Sequence, residues 1–185
     1  MSAQSTTNAQ ITTISPINSP RSDKACHNAE RLLNKLDLKS SFPFDNNFID
    51  TSMGAMHFID EGQGEPILMV HGNPTWSYLY RAFIAEFAGT YRVIAPDHIG
   101  FGLSEKPSDE GAYTIDQHIQ NLETLVNTLD LRNITLVIQD WGGRVFWCCL
   151  LRSFLTSVWG RSRCLGMNHH FKPGRPPQHV SGIRR

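Results

Sequence analysis

"ITLVIQDWGG", residues 134–143, decides how the rest of the chain is read. Its first half is a short continuous apolar run, the pattern of a strand covered on both faces. Its second half places an aspartate at the end of that strand and a glycine two positions later, where a following helix can approach the strand closely. In a strand–nucleophile–helix elbow, the catalytic side chain occupies this turn and projects above the sheet. Asp140 stands where the serine of G-x-S-x-G would stand and Gly142 is the small partner, although Ile138 replaces the first glycine. The same aspartate would also serve as a plain helix N-cap. The upstream sequence therefore has to decide between the two.

Upstream, "NFIDTSMGAMHFIDEG" (47–62) predicts two strands about a turn at Ser52–Gly54, and "PILMVHG" (66–72) predicts a strand buried on both faces. "NPTWSYLYRAFIAEFAG" (73–89) predicts a loop and helix, "YRVIAPD" (91–97) another buried strand, and "HIGFGLSEKPSDEGA" (98–112) a long loop. The "GFG" in that loop is read as a close-packed turn, because a lone G-x-G is a weak phosphate signal. Thr114 and Gln117 have capping-box spacing, and Ile115, Ile119, Leu122, Val126 and Leu129 recur on one helical face. Strands alternating with helices predict an α/β fold with a doubly wound, mostly parallel sheet. In such sheets ligands bind outside the carboxyl ends of the strands, which is where "HGNPTW", "PDHIGFG" and "QDWGG" fall.

The 185-residue chain is 40% hydrophobic with a mean hydropathy of -0.29, as expected of a soluble globular protein with one core. It has no apolar run long enough to cross a membrane and no secretory core at its start, so a cytoplasmic location is expected. The zero net charge hides an asymmetry. Residues 1–143 carry nine Lys and Arg against all seventeen carboxylates, and residues 144–185 carry eight Lys and Arg and no carboxylate. Three segments follow: a polar leader over 1–40, disordered through 22 with a short helix over 24–38; an α/β segment over 41–143; and a divergent basic tail over 144–185. Cys148, Cys149 and Cys164 lack the C-x₂₋₄-C spacing of a zinc site, so no metal or other cofactor is expected.

His71–Arg81, Asp97–Pro107 and Gln139–Gly143 together resemble the haloalkane dehalogenase family of α/β-hydrolases over roughly residues 45–143. The resemblance implies the N-terminal part of the α/β-hydrolase fold, with Asp140 as a nucleophile that displaces halide and forms an alkyl ester. It implies that the backbone N–H groups of Asn73 and Trp141 form the oxyanion hole and that their side chains bind the departing halide. His71 would support the oxyanion loop. The expected partners are a small halogenated or epoxide substrate and a halide ion, with no nucleic acid and no membrane. Epoxide hydrolases share the nucleophile and an H-G-x-P loop but usually place a bulky residue at the position of Asn73, which favours the dehalogenase branch.

Turnover would need a general base and an orienting acid, which the family supplies from strands beyond an inserted helical cap. No Asp or Glu follows residue 143 to serve as the acid. His169, His170 and His179 resemble nothing in the family's histidine loop, so no base is identified. The cap and C-terminal strands are expected to be missing, with "RVFWCCLLRSFLTSVW" (144–159) forming a helix behind the elbow. The tail is read as out of frame after Gly143, and one of the two other frames of the transcript should then encode cap-like helices, an acid and a histidine. The strand ending at Asp140 would be left as an exposed edge. A reading from another class is a non-catalytic binding protein using its basic tail.

Overall fold

The computed structural model describes residues 19–109, 111, 113–143 and 145, and the backbone of 163–166. The leader through residue 18, the helix expected over 144–159, Cys148, Cys149, His169, His170 and His179 lie outside the described residues, apart from Val145.

The chain enters through α1 (Pro20–Lys35), whose Ser19 side chain accepts from the Ser22 N–H and whose first helical position is proline. This corrects the expected boundaries of a leader disordered through 22 and a helix from 24. A capping serine followed by proline starts the helix four residues earlier than its apolar pattern suggests. Strands β1 (Asn47–Thr51) and β2 (Gly54–Glu61) form an antiparallel hairpin with Thr51 opposite Gly54, as expected. Then come β3 (Pro66–Val70), a 3₁₀ turn at Ser77–Tyr80, α2 (Arg81–Phe87), β4 (Arg92–Pro96), α3 (Ile115–Thr128), β5 (Thr135–Ile138) and β6 (Arg163–Gly166).

Among the described residues, six strands lie in the order β1-β2-β4-β3-β5-β6. The pairs β3–β4, β3–β5 and β5–β6 are parallel; β1–β2 and β2–β4 are antiparallel. Successive residues of β3 point to opposite faces. Leu68 and Val70 pack with Ile119, Leu122, Leu125 and Val126 of α3 on one side, and Ile67 and Met69 with Leu33 of α1 and Ile84 of α2 on the other. A sheet covered on both faces by helices explains why β3 and β4 read as unbroken apolar runs.

Two expectations are corrected. β5 is not an exposed edge, because β6 pairs with it in parallel register from Thr135–Arg163 to Ile138–Gly166 and takes up its outer hydrogen-bonding groups. A four-residue strand, "RCLG", is too short to show periodicity. Ile115, assigned to the buried face of α3, is 37% exposed, because it opens the helix one turn outside the packed stripe.

Going from β3 the chain runs outward to β4, then returns past β3 to β5 on the other side. The switch point, where ligands bind in such sheets, therefore lies between the carboxyl ends of β3 and β5.

Candidate active site

Asn73 and Asp140 stand on the two sides of that switch point. The Asn73 backbone N–H donates to Asp140 Oδ2 at 3.3 Å, so two residues 67 positions apart meet at the ends of adjacent parallel strands. Both are exposed. Asp140 has φ +50°, the left-handed region that a side chain other than glycine occupies at a cost of about 1–2 kcal/mol. It is held there by its surroundings: Gly142 N–H donates to Gln139 O at 3.0 Å and Gly143 N–H to Asp140 O at 3.1 Å, and residues 141–143 are helical. Strand, strained turn and helix meet at this aspartate.

Two glycines allow the close approach. A Cβ on Gly142 would stand 2.3 Å from Val70 O and 2.7 Å from His71 O, both backbone atoms of the neighbouring strand end. A Cβ on Gly72 would stand 2.6 Å from Asp140 Cβ and 2.7 Å from the backbone nitrogen of Trp141. The Trp141 amide thus lies against the same loop as Asn73, and its side chain is 44% exposed. Gly142→Val is expected to lower stability by about 1–3 kcal/mol or more in urea unfolding, because a strand backbone has to move. Gly89→Ala, where an added Cβ meets nothing within 4 Å, should change stability by less than about 0.5 kcal/mol.

The loop carrying Asn73 is fixed from behind. The Asn73–Pro74 peptide is cis. Gly72 O accepts from the backbone N–H of Thr75 at 3.1 Å, from Thr75 Oγ1 at 3.0 Å and from the His71 ring at 2.8 Å. His71 Nε2 accepts from the His98 backbone N–H at 2.9 Å, so Nδ1 carries the proton donated to Gly72 O. Burial pushes the His71 imidazole down from its ordinary pKa, against the pull of Asp97, and favours the neutral ring that this two-ended arrangement needs. His71 therefore joins the end of β3 to the end of β4 and to the loop carrying Asn73. Beyond it the His98 ring lies tilted against His71 at a centroid separation of 4.6 Å, and His118 meets His98 edge-on at 5.2 Å. Burial, then the proximity of His71, pushes both down, His98 furthest.

One buried element went unread in the sequence. Asp97 is fully buried and accepts from the Ser77 N–H at 2.7 Å, the Leu103 N–H at 2.9 Å and His57 Nδ1 at 2.9 Å. His57 reaches Asn46 Oδ1 through its other nitrogen at 3.0 Å. The carboxylate thereby pins the loop after β4 to the turn after β3. The signal for it, an aspartate at the end of an apolar strand before "HIGFG", is visible, but its partner 40 positions upstream is not.

The family profile described as alpha/beta hydrolase fold matches residues 65–167. The chain is 47% identical over 110 residues to a cis-3-alkyl-4-alkyloxetan-2-one decarboxylase of Shewanella oneidensis, covering 58% of this chain and 35% of that protein. It is likewise 47% identical over 104 residues to haloalkane dehalogenase 2 of Mycobacterium tuberculosis, covering 56% and 36%. The chain thus spans about a third of the length of these curated relatives. Among solved structures, the haloalkane dehalogenase DpaA from Paraglaciecola agarilytica superposes with TM-score 0.62 at 36% identity, over 70% of this chain and 46% of that one. A mutant epoxide hydrolase from Bacillus megaterium superposes with TM-score 0.56 at 32% identity, over 64% and 42%. With a profile match over more than half its length and an aspartate in a strained turn at the switch point of a doubly wound sheet, the chain belongs to the α/β-hydrolase fold family, with haloalkane dehalogenases among its homologues.

Proposed function

We propose that the chain carries the displacement half of a haloalkane dehalogenase-type hydrolase, with Asp140 as the nucleophile. The observation that carries this reading is the Asn73 N–H donating to a carboxylate held in a left-handed turn between β3 and β5. One Asp140 oxygen attacks the carbon bearing the halogen, an O–C bond forms, and the C–halogen bond breaks with its electron pair leaving on the halide. The neutral donors of the Asn73 amide and the Trp141 indole suit a large, soft leaving anion. When water later attacks the ester, the N–H groups of Asn73 and Trp141 hold the oxyanion.

Hydrolysis of that ester needs a base and an orienting acid, and residues 141–185 contain no Asp or Glu. The chain as it stands is proposed to alkylate itself once at Asp140 and stop. The reading needs no cofactor; among the described residues no helix is long and apolar enough to cross a membrane.

The equal identity to an oxetan-2-one decarboxylase supports a second reading of the same nucleophile. A four-membered lactone is strained, and attack by Asp140 at the sp³ ring carbon would break the C–O bond and release a ring-derived carboxylate that stays attached. Incubation with 1,2-dibromoethane or with a 3,4-dialkyl-oxetan-2-one, followed by peptide mapping, separates the readings. The haloalkane adduct has lost a halogen, whereas the lactone adduct retains every atom of the lactone; loss of carbon dioxide from it would break the bond to Asp140 and release an alkene. An adduct on a residue other than Asp140 overturns both. The epoxide-hydrolase alternative predicts labelling by an epoxide and none by a haloalkane. The basic-tail reading predicts salt-sensitive binding that is lost when residues 144–185 are removed.

A further inference from the structure

We propose that Gln139 is a positioning residue that clamps the oxyanion loop onto the nucleophile turn and sets the orientation of the Asp140 carboxylate. The proposal rests on Asp140 being the nucleophile and concerns a neighbour that does not itself touch the substrate.

Beyond the Gln139 N–H bond to Val70 O, two hydrogen bonds accepted by side chains cross the gap between the ends of β3 and β5, in consecutive order on both sides. Gly72 N–H donates to Gln139 Oε1 at 3.1 Å, and Asn73 N–H donates to Asp140 Oδ2 at 3.3 Å. The first holds the loop with a side-chain amide; the second is the contact the chemistry uses. Gly72 has little room to move independently, because a Cβ at its position would lie 2.7 Å from Gln139 O and 2.6 Å from Asp140 Cβ. Its carbonyl, in the peptide that bears the Asn73 N–H, is already held by His71 and Thr75, and the Gln139 bond fixes the preceding peptide through the Gly72 N–H.

Asn73 is exposed, and its 3.3 Å bond is at the long end of the useful range. An exposed loop would sample other orientations unless a neighbouring contact held it. Gln139 is half-buried and sits between the parallel ladder that ends at Ile138 and the turn at Asp140. There its own N–H donates to Val70 O at 3.2 Å and its side chain reaches the next peptide of the same partner segment. Residue 139 is thus bonded by both backbone and side chain to the chain that carries the oxyanion donor. Displacement needs the attacking lone pair aligned with the breaking carbon–halogen bond, so a carboxylate free to rotate loses rate more than affinity.

The test compares wild type, Gln139→Met and Gln139→Glu in the full chain. Methionine preserves length and flexibility but supplies no oxygen acceptor; glutamate retains an oxygen at the same reach. Amide hydrogen exchange is read at Gly72 without substrate. The expected result is at least about tenfold faster exchange at Gly72 in Q139M, with wild-type protection in Q139E. Alkylation by 1,2-dibromoethane is then followed at Asp140 over a range of concentrations. In Q139M the limiting first-order rate should fall about tenfold while the half-saturating concentration stays unchanged. Unchanged Gly72 exchange in Q139M overturns the clamp whether or not the protein is alkylated. Unchanged alkylation with altered exchange overturns its positioning role, and so does a rise in half-saturating concentration alone. Failure of the wild type to alkylate at Asp140 would instead count against the nucleophile assignment and leaves the exchange result to decide the clamp.

Discussion

Asp140→Asn is expected to abolish the alkyl adduct formed with a 1,2-dihaloalkane while leaving the fold intact. Asparagine tolerates the left-handed backbone that Asp140 adopts at φ +50°, so the substitution replaces the carboxylate proposed as nucleophile without adding strain at the turn. The neutral amide is a poor nucleophile, and intact-mass measurement should show no adduct on the variant under conditions that label the wild type fully. Thermal midpoints of the two proteins should agree within a few degrees. Persistent labelling of Asp140→Asn would mean that another side chain is the nucleophile.

Asp97→Ala is expected to have the largest effect on stability. Its carboxylate accepts from two backbone N–H groups and from His57 in a fully buried site, and removing it strands all three donors. Losing one partner of a buried ionic pair costs about 3–5 kcal/mol, a large share of the stability of a domain this size. Urea unfolding is the measurement, and a loss below about 1 kcal/mol would contradict the role given to Asp97. The pH dependence adds a sign. Burial alone would push the Asp97 carboxyl up, but the charge and hydrogen bond of His57, His71 nearby and the Leu103 N–H outweigh it and hold it at about 2, below the ordinary 3.8. A group held lower in the folded state contributes stability that is complete above about pH 4 and disappears as the pH falls toward 2. The stability gap between wild type and Asp97→Ala should therefore narrow over that acid window and stay constant between pH 5 and 7.

The parts of the fold that could be read from the chain were those where burial repeats along the sequence. β3 and β4 are covered on both faces and read as continuous apolar runs; α3 shows its stripe and its Thr114 cap, which accepts from the Gln117 N–H. The elbow was legible because close packing demands a small residue at 142, and Gly142 indeed faces the carbonyls of Val70 and His71. Contacts between distant positions were not legible. His57 with Asp97, Gln139 with Gly72, and β6 with β5 each join segments whose local patterns carry no sign of the partner. The left-handed backbone of Asp140 also leaves no trace in composition, since asparagine or aspartate at a turn is compatible with several conformations.

The most direct test of the central claim is the time course of halide release from a known amount of protein exposed to excess 1,2-dibromoethane. A burst approaching one bromide per chain is expected, followed by no further release, with the retained alkyl group on Asp140. Sustained release over many equivalents would show that a base and acid act within this chain. Absence of any burst would show that the strained aspartate between β3 and β5 is not a displacement nucleophile.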